Sequence, residues 1–364
     1  MEQKVTLQVV RKGEISAIPA WDDPYGLARL TPQKRSALLN NPLSRSEDDP
    51  AQILGLLANK VIGRIDLIPG ELLVNGQTVP MLWPGAYDVP EEHRRTLVGV
   101  MIVLKMMSLH HTIGVCGVSQ MALPIFQKLN WLAFTQPRYL LLRRSRSVVE
   151  RYVGTGAAAA LVIKAADAAL LAHEVALRNW TAIKGKNLRL HEVSEMSSNM
   201  DAELRHFPQP VGIYRSAAWF NWLLRENFED DPTRRKGLFY VSTQDGRMVG
   251  YFFLRMRLFE QASHRGFKHV LLGSLHDWMS FDRDHLTDYQ IAMLATLELE
   301  SWGADAVEIC TDNSDLQRSL KRTGFFRLGQ LHTFFCCGKV SPIAEKFKEQ
   351  SDWRLRPADG VNFF

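Results

Sequence analysis

The sequence predicts a mixed α/β chain of two tandem domains, and three observations lead there. Its 364 residues exceed the roughly 250 to 300 at which single hydrophobic cores stop growing. The stretch Val79 to Met107, VPMLWPGAYDVPEEHRRTLVGVMIVLKMM, reads as strand, basic turn and helix. Landmarks of the first half also return in the second at similar spacing, as a tandem duplication requires. Val61-Ile62-Gly63 matches Met248-Val249-Gly250, and Lys128-Leu129-Asn130-Trp131 matches Arg322-Thr323-Gly324-Phe325. The boundaries expected are 1–153 for an N-terminal domain, 154–186 for a connecting helix, 187–340 for a C-terminal domain and 341–364 for a tail.

In chain order, Val5 to Val10 is an opening strand, and a helix over Pro32 to Asn40 is stopped by Pro42. Ile53 to Asn59 and Val61 to Ile68 pair as a hairpin turning at Asn59-Lys60, with further turns at Pro69-Gly70 and Asn75-Gly76. Met81 to Val89 is a strand rich in aromatic residues, ended by Pro90. His93, Arg94, Arg95 and Thr96 form a polar turn, and from Leu97 apolar residues recur at helical spacing. That turn aims unpaired N–H groups and the positive end of the helix dipole at one point, where a pyrophosphate is held without a metal. Gly99 allows close approach. The helix ends at His110-His111, where imidazolium suits the negative dipole terminus.

Thr112 to Val118 is the next strand, and Ser119 to Trp131 contains a short helix. Tyr139 to Arg143 closes the first domain, and Gly156 to Trp180 is a helix with Lys164, Asp167, Glu174 and Arg178 on one face. In the second half, strands are expected at Leu190 to Val193, Leu238 to Ser242, Met248 to Leu258, His269 to Asp277 and Ala306 to Thr311. Helices are expected at Ser216 to Asn227, N-capped by Ser216, at Thr287 to Trp302, and at Asn313 to the Gly324-Phe325 pair. Leu275 to His285 reads as an acidic loop, and its carboxylates repel a pyrophosphate.

Composition narrows the chemistry. A hydrophobic share of 46% with 23% charge excludes long disorder. The net charge of +5 favours an anionic ligand such as a nucleotide cofactor, yet no run of five or six like charges marks a nucleic-acid tail. Cys116, Cys310, Cys336 and Cys337 have no C-x-x-C spacing, so neither a zinc site nor a disulfide framework is expected, and a reducing cytoplasm is the simplest location. No stretch reaches the roughly 18 uninterrupted apolar residues of a membrane span.

The strand–turn–helix at Val89-Pro90 and Arg94-Arg95-Thr96-Leu97-Val98-Gly99 resembles the acetyl-CoA turn of the GNAT N-acetyltransferases, Val-x-Pro followed by Arg/Gln-x-x-Gly-x-Gly/Ala. Ser119 to Trp131 is similar to that family's second motif. The resemblance covers about residues 1–340 and implies two tandem GNAT-like domains, each a central mixed, mostly antiparallel sheet flanked by helices. It implies acetyl-CoA or a longer acyl-CoA as donor, held by Val89, Arg94, Arg95, Thr96, Val98, Gly99 and Ser119. Two positions depart from the family: Leu97 replaces the first glycine, where a side chain crowds the phosphates, and Phe126 stands where a tyrosine often serves as general acid.

The function implied is N-acyl transfer to a small-molecule amine acceptor. Double-GNAT acyltransferases of bacterial polysaccharide biosynthesis are similar, which implies an amino sugar as acceptor. Acyl transfer from a thioester needs a neutral amine, a donor for the carbonyl oxygen and a proton for the thiolate. Trp83, Gly85 and Tyr87 lie near the family's strand splay, and Tyr87 is the catalytic candidate there. His276 and Asp277 are the candidates of the second half, in a cluster with Asp282, Asp284 and His285. A FemABX-like transferase fed by aminoacyl-tRNA is the alternative, with a basic groove from Arg143, Arg144, Arg146 and Arg151 or Arg234, Arg235 and Lys236. A catalytically inactive binding scaffold is the third reading. The aromatic and acidic tail from Asp352 to Gly360 has two readings, a segment folded back over the acceptor cleft or a frayed end.

Overall fold

The computed structural model describes residues 4–17, 21–200, 211–213, 215–226, 233–260, 269–338 and 353–355. Two compact units divide the chain: unit 1 takes 1–134, 196–230 and 332–364, and unit 2 takes 135–195 and 231–331. The expected linear boundaries at 153, 186 and 340 therefore cut across units that are discontinuous in sequence.

Unit 1 opens with β1 (Val5–Arg11), α1 (Pro32–Leu39), β2 (Pro50–Leu57), β3 (Lys60–Val74) and β4 (Gln77–Asp88). Thr31 caps α1 by accepting from the Lys34 amide. Ala58 and Asn59 take φ of 49° and 67°, and Asn75 and Gly76 take 47° and 79°, so both hairpins turn on paired left-handed residues that match strand twist. Pro69-Gly70 is not a turn. Both residues continue β3, paired with Leu82 and Met81, because Trp83 packs where a Gly70 side chain would stand.

A 3-10 turn over Glu91–Thr96 leads into α2 (Val98–Leu109), followed by β5 (Thr112–Cys116), α3 (Leu123–Lys128) and β6 (Leu132–Leu142). His110 terminates α2 with its ring nitrogen against Thr112. Burial lowers its pKa, so the expected imidazolium gives way to a neutral ring. The core of unit 1 packs Val98, Ile102 and Met106 of α2 onto Ile53, Ile65 and Ile113. A side chain at Gly55 would collide with Val98; glycine there lets the helix sit directly on the sheet. Phe126 joins this core, edge-on to Trp131 and stacked on Phe334.

Unit 2 begins within β6 and continues through α4 (Arg146–Tyr152), the 28-residue α5 (Ala157–Lys184) and β7 (Leu188–Val193). Tyr139 to Arg143 was expected to close the first domain. Arg138 to Leu142 pair instead with Ala306–Cys310 of unit 2, and the Arg143 guanidinium forms a buried ion pair with Glu300. Likewise α5 is part of unit 2 rather than a connector. The chain then gives unit 1 the strand β8 (Val211–Ile213) and α6 (Ala217–Arg225). Ser216 caps α6 as expected, yet this helix belongs to unit 1, where the Trp222 indole donates to the Ala37 carbonyl at 3.0 Å.

The remaining elements are β9 (Thr233–Thr243), β10 (Met248–Phe259), β11 (Val270–Ser280), α7 (Asp288–Ser301), β12 (Ala306–Cys310), α8 (Ser314–Arg322), β13 (Phe326–Cys337) and β14 (Trp353–Arg354). In unit 1 the strand order is β1-β2-β3-β4-β5 and then the end of β13, with β8 on the outer part of β3 and β14 beside β8. In unit 2 it is β6-β12-β11-β10-β9-β7. One neighbouring pair in the main path of each unit is parallel, β4 with β5 and β11 with β12. Trp353 is buried against Phe335 and Phe134 within unit 1; the rest of the expected tail, 341–352 and 356–364, lies outside the described residues.

Candidate functional site

In unit 1 the parallel strands β4 and β5 meet at Leu82 and Ile113, and beyond that point β4 runs on from Trp83 to Asp88 with no further β5 pairing among the described residues. On its other edge, Gly85 pairs with Asp66 and Asp88 with Arg64. Ala86 and Tyr87 therefore stand opposite the single residue Ile65, a β-bulge that re-aims the backbone. Ala86 holds a left-handed φ of 43°, a strained conformation for a side chain.

The bulge feeds the 3-10 turn. Arg94 Nε donates to the Val89 carbonyl at 3.2 Å, and Thr96 Oγ1 donates to the His93 carbonyl at 2.7 Å. Leu97 then takes φ of 62° and is 67% exposed, so the position of the family glycine keeps a glycine-like backbone with its side chain in solvent. Among the described residues no side chain caps α2, and its first backbone bond runs from the Met101 amide to the Leu97 carbonyl. The amides of Val98, Gly99 and Val100 precede that bond, at the positive end of a 12-residue helix.

Tyr87 lies across this turn. A side chain on Gly99 would strike its hydroxyl, so the glycine makes room for the tyrosine, and burial pushes the phenol pKa up to about 12. Tyr87 is thus a neutral donor at physiological pH. Val89, Arg94, Thr96, Val98 and Gly99 converge here, and Arg95 is exposed on the same turn. The Ser119 hydroxyl accepts from the Ala122 amide at the start of the α3 turn.

Unit 2 carries the same scaffold with different chemistry. Strands β11 and β12 pair from Leu272 to Leu275, after which β11 continues to Ser280 with no further β12 pairing among the described residues. Asp277 pairs with Phe253 and Leu275 with Leu254, leaving His276 as the bulged residue. The expected strand from His269 to Asp277 is present and runs three residues further, to Ser280, into the stretch expected as an acidic loop, and His276 and Asp277 are each only 1% exposed. The Asp277 carboxylate accepts from the Trp278 amide at 2.7 Å and from the Tyr251 hydroxyl at 3.4 Å. Burial, reinforced by Arg255, Arg257 and Lys236, drives the His276 pKa well below its ordinary value, so its ring is neutral.

The turn that follows closes on itself. Asp282 accepts from the amides of Asp284 and His285 and pairs with Arg247 at 2.9 Å and His285 at 3.0 Å. Thr287 and Gln290 complete a capping box on α7. The expected acidic cluster is therefore two sets, one buried in a strand and one exposed in a turn. The three catalytic candidates also divide, Tyr87 in unit 1 and His276 with Asp277 in unit 2.

One polar group escaped sequence reasoning. Asp66, across the ladder from the β4 bulge, is buried, accepts from Gln52 Nε2 at 3.0 Å and faces Lys34 at 4.0 Å. The signal for it is Gln52, the polar side chain in the otherwise apolar β2, with Asp66 as its cross-strand partner. The arginines proposed for a tRNA groove are largely engaged: Arg143 with Glu300, Arg144 with Asp305, Arg146 with Glu150 and Arg235 with Glu192. No group of three or more metal-ligating side chains occurs among the described residues, and none of their helices is long and apolar enough to cross a membrane.

No known family model matches the sequence, and no curated protein is similar to it at a significant level. Solved structures are similar to it in fold. N-myristoyltransferase of Saccharomyces cerevisiae with bound myristoyl-CoA superposes with a TM-score of 0.55 at 11% identity, covering 98% of this chain and 85% of that one. A probable N-acyltransferase of Enterococcus faecalis V583 gives 0.54 at 11% identity over 94% and 75% of the two chains. A GCN5-related N-acetyltransferase of Anabaena variabilis ATCC 29413 gives 0.51 at 12% identity over 91% and 72%. The chain has the mixed α/β fold of these GNAT-type proteins.

Proposed function

We propose that the chain is an N-acyltransferase whose unit 1 binds acyl-CoA and passes the acyl group to an amine. The observation that carries this reading is the uncapped N-terminus of α2 directly after a bulged strand that has parted from its parallel neighbour. The amides of Val98 to Val100 receive the pyrophosphate, with Arg94 and Arg95 adding charge. A backbone N–H of the bulge, between Gly85 and Tyr87, polarises the thioester carbonyl. The Tyr87 phenol, neutral at working pH, supplies a hydrogen bond or proton to the departing thiolate. The amine attacks as the free base, the tetrahedral oxyanion collapses as the carbon–sulfur bond breaks, and the proton shed by the nitrogen replaces the one that the phenol gives to the thiolate.

His276 and Asp277 take a positioning role in unit 2, since one is neutral and enclosed and the other is bound by a backbone amide. The myristoyl-CoA held by the yeast neighbour makes a long-chain donor the first alternative to acetyl-CoA. An amino sugar destined for polysaccharide remains the acceptor class to test. The ion-paired arginines leave the tRNA-fed reading with less support.

Thermal unfolding with acetyl-CoA and myristoyl-CoA tests the donor. Binding at 100 Kd stabilises the folded state by about 2.7 kcal/mol, and Leu97→Asp should remove the shift. Loss of stabilisation by both donors in the wild-type chain would sink the proposal and bring the scaffold reading forward.

A further inference from the structure

Of the twelve large apolar side chains exposed among the described residues, five lie on α5: Leu161, Val162, Leu171, Val175 and Ile183, with Leu161 at 71% and Ile183 at 73%. They are not scattered. An exposed seam runs through Leu161, Ala165, Ala168, Ala172, Val175 and Asn179 in alternating steps of four and three residues, the 3.5-residue repeat by which one straight helix packs along another. Val162 and Ile183 flank the seam on one side, and Lys164, Leu171 and Arg178 on the other.

From this repeat we infer that α5 pairs in parallel with α5 of a second copy of the chain, about a two-fold axis. A surface with that period matches a helix of the same period, and the second copy supplies one. Three of the six seam positions are alanine, which lets two helix axes approach closely but offers little area to a lipid surface, where large apolar side chains are used. The helix has 28 residues and is about 42 Å long. A standard specific interface takes roughly 800 Å² per copy, so the pairing has to run along the whole exposed face of the helix. Charge selects the direction. Antiparallel pairing sets Lys164 against Arg178 of the other copy, twice; parallel pairing sets both against apolar residues and brings Asn179 to its counterpart, an arrangement that fixes register.

Sedimentation velocity on the full chain, with and without Ala168→Glu, tests the pairing. The wild type should reach twice the chain mass at about 100 µM, and Ala168→Glu should raise the dimer dissociation constant about a hundredfold by burying two like charges. Its melting temperature when monomeric should not fall, since Ala168 is exposed in the single chain. Asn179→Cys should give disulfide-linked dimers on mild oxidation, above the wild-type background. A wild type that stays monomeric, or a dimer indifferent to Ala168→Glu, overturns the inference, and failure of Asn179→Cys to cross-link overturns its parallel sense. A monomer that co-sediments with phosphatidylglycerol vesicles, and loses this on Leu161→Glu, overturns it in favour of a lipid surface.

Discussion

The turn between β4 and α2 and the turn between β11 and α7 are built on one plan and finished in opposite ways. Each follows a bulged strand that has left its parallel partner. In unit 2 the free amides are consumed internally, by Asp282 in the turn and by the Thr287–Gln290 box on the helix. In unit 1 the helix start has no side-chain cap, and a leucine is held in a left-handed conformation with its side chain in water. Capping gives stability of about 1 kcal/mol; on the proposed reading, its omission at α2 leaves the amides of Val98 to Val100 for the donor's pyrophosphate. That reading makes the capping state of the helix start, rather than the number of glycines in the turn, the feature to test.

The strongest way to break the comparison is to give unit 1 the cap that unit 2 has. Leu97→Asp places a carboxylate where it takes up the α2 amides, and acyl-CoA affinity, by calorimetry, should fall about a hundredfold, or ~2.7 kcal/mol, while chemical denaturation shows no loss of stability. Arg94→Glu reverses one charge and removes the bond to the Val89 carbonyl; a loss of about tenfold in the same titration is expected. The converse change, Thr287→Ala, should cost about 1 kcal/mol of stability and leave acyl-CoA affinity unaltered. Leu97→Gly relieves the left-handed strain at an exposed site and should gain about 0.5–1 kcal/mol in denaturant unfolding, net of the entropy glycine adds to the unfolded chain.

A pH series sharpens the comparison further. His276 is neutral when folded but takes a proton below about pH 6.5 in the unfolded chain. The unfolded state then binds more protons, so stability rises with pH through that window and is lost as pH falls below it. Unfolding free energies from pH 5 to 7 should show this slope, and His276→Gln should flatten it. Tyr87, with its pKa near 12, should contribute no inflection to rates at any pH below about 10.

Much of this was legible in the residues. Asn75-Gly76, Ser216 and the Thr287–Gln290 spacing carry local signals for a turn and two helix starts, and each acts within a few residues. Asn130 and Gly324 both take positive φ, 55° and 86°, before a buried aromatic, so the matched landmarks mark one backbone shape. What stayed hidden depends on distant partners. Pro69-Gly70 looks like a turn until Trp83 covers it. Trp278 to Ser280 look like a loop because burial, which the surrounding strands supply, is absent from local pattern. Ala86 carries no hint of its left-handed bulge, which the two-to-one register with Ile65 imposes. Which unit owns α6 or the end of β6 is likewise set by pairing across many residues.

The discontinuous make-up of the units sets an order of events during synthesis. As the ribosome releases the first 134 residues, unit 1 still lacks α6, β8 and the end of β13, whose Phe334 belongs to its core. Unit 2 can close once Leu331 has emerged, before the unit that was begun first. Until residues 332–337 are made, β5 lacks the strand that pairs along Thr112–Cys116. An open edge of this kind is where stray strands attach, so the last part of β13 completes the sheet of unit 1 and also covers its exposed edge.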